Sequence, residues 1–157
     1  MQFRDLKKQY QVLKKPMDEA ISKVLEASNY ISGSQVAELE EKLAAYVGVK
    51  HCITCGNGTD ALTLALMTWG IGEGDAVFVP DFTFFSSAET VAYEEATPVF
   101  VDVLEDTFNM DPDSLERAVK AVLAEGKLTP KVMVVVDLFG LPADYDPVSY
   151  THLTLPT

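Results

Sequence analysis

The sequence predicts an α/β fold, a mainly parallel sheet covered by helices on both faces. Three observations carry that expectation. Four short apolar, β-branched segments punctuate the chain, and helical spacing fills the gaps between them. The two kinds of segment alternate, which is the pattern of right-handed strand–helix–strand crossovers. The chain's 157 residues are 48% hydrophobic and 23% charged, enough to bury a real core.

The first fifty residues carry no strand signal but show two helical patterns, roughly Pro16 to Ala27 and Gln35 to Val47. Ser34 can cap the second, whose apolar face is Val36, Leu39, Leu43, Tyr46 and Val47, and Gly48 can close it. The first expected strand is Cys52 to Cys55. A helix follows from Leu62, Ala65, Leu66 and Trp69 at i, i+3, i+4, i+7, then a Gly-rich turn from Gly70 to Asp75. Ala76 to Val79 reads as the second strand, Thr83 to Glu95 as a helix, and Pro98 to Val101 as the third strand. Leu115, Ala118, Val119 and Val122 mark another helix, with Asp111 as its N-cap and Pro112 at its first position. Lys131 to Val136 is the fourth strand.

Charge excludes several functions. Acidic side chains number 24 against 12 basic ones, for a formal net charge of −12. No basic surface exists to release counterions from nucleic acid or to meet an anionic membrane. No apolar run approaches the roughly 20 residues of a membrane span. Arg4, Lys7, Lys8, Lys14 and Lys15 are not followed by an apolar segment, so the start does not read as a signal peptide. Two cysteines without an export signal suit the reducing cytoplasm. Residues three apart in a strand face opposite sides, so Cys52 and Cys55 cannot chelate one metal and read as structural thiols. His51 reads as a surface residue.

The C-terminus changes character abruptly. Residues 148–157 form an uncharged, Thr-rich string, and one frame of a common transposase library adapter translates into it residue for residue. Residues 148–157 are therefore expected to be a non-native, adapter-derived tail behind a native portion of residues 1–147.

Ligands of open parallel sheets bind at the C-terminal ends of the strands, which directs attention to three segments. Gly56-Asn57-Gly58-Thr59-Asp60 runs into a helix. Its glycines permit a tight turn with outward N–H groups, Thr59 adds a hydroxyl, and the helix N-terminus favours an anion such as phosphate. Asp60 would repel a phosphate, so it is expected to cap the helix or to face a cationic part of the ligand. Phe82, Phe84 and Phe85 follow the second strand. One aromatic face there can stack on a planar ligand, while Phe82 and Phe85 are expected in the core. Asp137 leaves the fourth strand at its C-terminal end, placed to bind ligand or to cap the next segment. The spacing Gly56-x-Gly58-x-x-Ala61, with Asp81 further on, also satisfies a dinucleotide fingerprint, so an NAD(P)-binding dehydrogenase-type module is a rival reading.

The order and spacing of these segments resemble the N-terminal part of the DegT/StrS-type sugar aminotransferases. The resemblance runs from Phe3-Arg-Asp-Leu-Lys-Lys-Gln-Tyr10 through Tyr30-Ile-Ser-Gly33, Ala45-Tyr-Val-Gly-Val-Lys-His51 and Gly56-Asn-Gly-Thr-Asp-Ala-Leu62. It continues through Thr83-Phe84, Ala88-Glu89, Pro98-Val-Phe-Val-Asp-Val103 and Asp137-Leu-Phe-Gly-Leu-Pro-Ala143, covering essentially all of residues 1–147. Asp81-Phe82 stands where an Ala-Asn type pair is frequent in the family, and Ser87 where Thr is common.

The resemblance implies a truncated fold-type I large domain, a three-layer α/β/α arrangement that binds pyridoxal 5'-phosphate. By position, Gly58, Thr59 and Asp60 would bind the cofactor phosphate and Phe84 would stack on its ring. Tyr30 and Gly33 would lie near the substrate, and Asp137 and Gly140 would border the active site. The family aminates a keto-sugar nucleotide, typically with glutamate as donor, for cell-surface polysaccharide or amino-sugar biosynthesis, and works as a homodimer. Its Schiff-base lysine has no counterpart among the ten lysines here. The chain as given is therefore expected to be inactive, with an unpaired sheet edge. A dehydratase relative, in which histidine replaces that lysine, is a second implication of the same family.

Overall fold

The computed structural model describes residues 4–145, so the tail expected at residues 148–157 lies outside the described residues. The chain divides into two compact units, Met1–Thr54 and Cys55–Thr157.

The N-terminal unit contains α1 (Leu6–Ala27) and α2 (Ser34–Val47). α1 starts well before Pro16, where the sequence pattern placed it. Asp5 explains the difference: its carboxylate accepts the Lys8 N–H at 2.9 Å and caps the new start. The helix then passes through Pro16, spanned by an ion pair between Lys14 and Asp18. α2 begins one residue earlier than its expected cap allows. Gly33 occupies the cap position without a side-chain bond, and Ser34 is the first helical residue. Gly48 closes α2 as expected, at φ +80, where a residue without Cβ is favoured.

Cys52 to Cys55 does not form the expected first strand. Its β-branched residues have no ladder partner among the described residues, and Ile53 is 83% exposed. The Thr54 N–H donates instead to the Glu40 carboxylate at 2.8 Å, and the Thr54 hydroxyl donates to the same oxygen at 2.8 Å. β-propensity favours an extended backbone, but only a neighbouring strand makes a ladder.

The C-terminal unit runs α3 (Gly58–Thr68), β1 (Asp75–Pro80), α4 (Ser86–Tyr93), β2 (Thr97–Val101), α5 (Pro112–Glu125), β3 (Thr129–Met133) and a 3₁₀ turn at Leu138–Gly140. The three strands are parallel in the order β2-β1-β3. Alternation along them sorts the core into two layers. Val77, Val79 and Val132 pack with Leu66 of α3 and Val91 of α4 on one face. Ala76, Phe78 and Val101 pack with Leu115 and Val122 of α5 on the other. The expected α/β architecture with both sheet faces covered is therefore present.

β3 lies two residues upstream of its expected start. Its register slips between Ala76 and Val77, so that Lys131 is passed over and Val132 pairs with Val77. Val134 still donates to the Phe78 carbonyl at 2.8 Å beyond the end of the ladder. α5 begins as expected, with Asp111 accepting the Asp113 N–H at 2.9 Å and Pro112 in the first turn.

These contacts set two expectations. In urea unfolding, Leu115→Ala, which empties a fully buried position, should cost about 2–5 kcal/mol, against about 1 kcal/mol for removing the Asp111 cap. Equal costs would show that the α5 face of the sheet is not a packed core. The second concerns pH. The Thr54 N–H, and next its hydroxyl, hold the Glu40 carboxyl below its ordinary value of 4.5. A depressed carboxyl stabilises fully above its ordinary value and stops doing so as pH falls through its folded value. Protection of the Thr54 amide from exchange should therefore fade on acidification, and Glu40→Gln should remove that pH dependence.

Candidate functional site

α3 opens at the Gly-rich turn, and the cap there differs from expectation. Asn57, in extended backbone, accepts the Asp60 N–H through its side-chain oxygen at 2.9 Å. Its amide nitrogen donates to Asp60 Oδ2 at 3.1 Å. Asn57 is thus the cap, and Asp60 is the residue locked to it rather than the cap itself. The spacing Asn57-x-x-Asp60 brings the two side chains together at the helix start, a signal that was present in the sequence.

This arrangement leaves donors free. Helix geometry gives the N–H groups of Gly58 and Thr59 no intrahelical acceptor, and the helix dipole adds partial positive charge there. A Cβ built on Gly58 meets nothing within 4 Å, whereas one on Gly56 would come within 2.7 Å of Asp60 Oδ2. Thr59 is half-buried and Gly58 is exposed. No lysine or arginine stands between Lys50 and Arg117, so an anion at this turn rests on backbone N–H groups and the Thr59 hydroxyl.

Beyond β1, Asp81 donates its N–H to the Val101 carbonyl at 2.9 Å. Phe84 is 75% exposed, a free aromatic face. Phe82 and Phe85 are not core residues as expected. Phe82 is half-exposed and packs on Phe108 with ring centroids 5.3 Å apart, and Phe85 is exposed. The buried face of α4 is Ser86, Ser87, Thr90 and Val91, small side chains that sit close to the sheet and leave both preceding rings outside.

Beyond β3, Asp137 is exposed, and its Oδ1 accepts the Ala143 N–H at 2.9 Å. One carboxylate oxygen therefore closes the following loop, in keeping with the capping alternative. Asn109, which the sequence reading passed over, donates from Nδ2 to the Pro142 carbonyl at 2.9 Å. Because β1 and β3 are parallel neighbours, the loops carrying Phe84 and Asp137 leave the same end of the sheet. α3 turns directly into β1, so its N-terminus with Gly58, Thr59 and Asp60 stands at that end too. Tyr30 and Gly33 belong to the N-terminal unit. Tyr30 is exposed, with its hydroxyl donating to the Leu25 carbonyl at 3.4 Å, and Gly33 is buried at the start of α2.

Comparison with known proteins matches residues 11–151 to the DegT/DnrJ/EryC1/StrS aminotransferase family. A Pseudomonas aeruginosa protein, UDP-2-acetamido-2-deoxy-3-oxo-D-glucuronate aminotransferase, is 44% identical over 151 residues, 95% of this chain and 40% of its own length. A crystal structure of a family aminotransferase from Brucella abortus superposes with a TM-score of 0.91 at 52% identity, covering 96% of this chain and 40% of that one. The S. venezuelae protein DesV gives a TM-score of 0.86 at 36% identity over 96% of this chain and 38% of its own. The chain thus spans about two-fifths of the length of these relatives. The matching structures include a sugar aminotransferase from Streptococcus pneumoniae in its PLP-form and its PMP-form and a Bacillus subtilis protein with bound cofactor PMP.

The turn's geometry separates fold from ligand. Asn57→Ala, which frees two bonds, should destabilise the C-terminal unit by about 1 kcal/mol. Gly58→Ala has open space around it and should be neutral or slightly stabilising, by a few tenths of a kcal/mol at most. Thermal denaturation of the two variants checks the ranking, and a severe loss in Gly58→Ala would contradict the open geometry.

Proposed function

Because the chain belongs to the DegT/DnrJ/EryC1/StrS aminotransferase family, we propose that its full-length form is a pyridoxal-phosphate transaminase. It would deliver an amino group from glutamate to a keto-sugar nucleotide in polysaccharide or amino-sugar biosynthesis. Residues 1–147 would be the N-terminal portion of its cofactor domain. The observation that carries the reading is the helix start at Gly58–Thr59, an anion cradle of free N–H groups in a stretch without cations.

The residues present fit the cofactor. The N–H groups of Gly58 and Thr59 and the Thr59 hydroxyl suit its phosphate, and the exposed Phe84 ring suits its planar ring. When bound, the cofactor supplies the electron sink and carries the amino group between donor and acceptor. Asn57 holds the Asp60 carboxylate turned back toward Gly56, which keeps the acid's nearer oxygen engaged. Gly58 contributes by having no side chain where a phosphate would approach. Tyr30, Gly33 and Asp137 would lie near the sugar substrate, and a homodimer in the cytoplasm is the assembly we propose. The family match reaches residue 151, four residues into the segment read as adapter. We nevertheless read residues 148–157 as non-native, and without a family Schiff-base lysine this 157-residue chain would not turn over.

The dehydrogenase alternative draws less support. The family model that matches residues 11–151 and the structures that superpose on the chain are those of aminotransferases.

The decisive assay supplies the full-length protein with pyridoxal phosphate, glutamate and a UDP-linked 3-keto sugar, and follows the amino sugar formed. We expect product from the full-length protein and none from the 157-residue chain. Thr59→Ala and Phe84→Ala should each weaken cofactor binding in the full-length protein by roughly tenfold. Loss of water from the sugar without amine gain would mark a dehydratase. Saturable NAD binding abolished by a bulky residue at position 58 would mark the dehydrogenase module. DNA read past codon 147 shows the lysine or its replacement directly.

A further inference from the structure

Asn109 is 6% exposed, yet it belongs to a loop rather than to an element. Three bonds immobilise it. Its carbonyl accepts the Leu104 N–H at 2.9 Å, its N–H donates to the Thr107 hydroxyl at 3.3 Å, and its Nδ2 donates to the Pro142 carbonyl at 2.9 Å. The last bond joins the loop after β2 to the loop after β3. A carbonyl can only accept, so the amide must present its nitrogen to Pro142. Its own Oδ1 is left buried without a partner among the described residues.

The second loop is also closed on itself. Asp137 Oδ1 takes the Ala143 N–H, and the Asp137 and Leu138 carbonyls take the Gly140 and Leu141 N–H groups at 3.1 Å each. These bonds hold Phe139 at φ 55, ψ 18 with its ring 88% exposed. The left-handed region is unfavourable for an aromatic residue. Such a conformation persists only where its surroundings over-determine it, and it concentrates at ligand sites. The loop leaves the same end of the sheet as Phe84 and contains no lysine or arginine.

Building on the transaminase reading, we propose that Phe139 contacts the nucleotide-sugar substrate and that Asn109 is the positioning residue that holds it there. An uncharged ring without cations beside it does not suit the diphosphate. It suits a flat or apolar ring face, which the substrate offers at its base and at its sugar.

Calorimetry on the full-length holoenzyme tests this with two probes, UDP-N-acetylglucosamine and UDP. Phe139→Ala should raise the Kd for UDP-N-acetylglucosamine roughly tenfold, the usual size of a lost ring–aromatic stack. Cofactor occupancy, read from its absorbance, should stay at the wild-type level. Equal weakening of UDP assigns the contact to the base, and an unchanged UDP Kd assigns it to the sugar. Asn109→Ala should weaken the sugar nucleotide in the same direction, and the double variant should be no worse than the poorer single variant. Asn109→Ser, uncharged and too short to reach Pro142, repeats the test should the alanine variant fold poorly. Unchanged Kd values in Phe139→Ala, additive losses in the double variant, or no binding of either probe by the wild type would overturn the proposal. A protein that binds the sugar nucleotide through Phe139 but takes up no cofactor would overturn the transaminase reading and leave this one standing.

Discussion

The C-terminal unit depends on one constraint, the burial of β1 on both faces. Ala76, Val77, Phe78 and Val79 are all fully buried, so apolar cover must come from both sides at once. α5 supplies it beneath Ala76 and Phe78, and α3 and α4 supply it over Val77 and Val79. Parallel pairing to β2 and β3 follows, because each helix must carry the chain back before the next strand begins. The site follows in turn. The same crossovers bring the N-terminus of α3 and the loops after β1 and β3 to one end of the sheet.

Charge imposes a second constraint. With a net charge of −12 and no cation between Lys50 and Arg117, the segments that carry Gly58, Thr59 and Phe84 offer an anion no side-chain charge of their own. Attraction must come from oriented N–H groups, which act at short range and demand an exposed helix start. The reciprocal bonds between Asn57 and Asp60 reconcile that start with an acidic residue in the first turn. They consume one amide and leave those of Gly58 and Thr59.

Much of this was legible in the chain. The helix over Leu115 and Val122, its Asp111 cap and the strands around Val77 and Val99 come from periodicity and capping, which are local. The Gly-rich helix start was equally readable, because turn chemistry and the following apolar spacing are contiguous. Asn109 was not. Its partner is the carbonyl of Pro142, and no local pattern announces a side chain that bridges two loops. Phe82 and Phe85 were misread for a related reason. Two aromatic residues after a strand look like core, but the buried face of α4 is Ser86, Ser87, Thr90 and Val91, and both rings stand outside it.

Composition and spacing by themselves determined the α/β class, the acidic surface and the two-sided burial of the sheet, while the motifs between Phe3 and Ala143 carried the resemblance to a sugar-aminotransferase family. Those properties depend on residues near one another in the chain. Only the tertiary structure decided that Cys52 to Cys55 has no ladder partner among the described residues, that Asn57 rather than Asp60 caps α3, and that Asp137 closes its own loop while Asn109 fastens it. Each of these rests on which donor finds which acceptor across a fold, and a hydrogen bond is settled by position in space rather than by residue type.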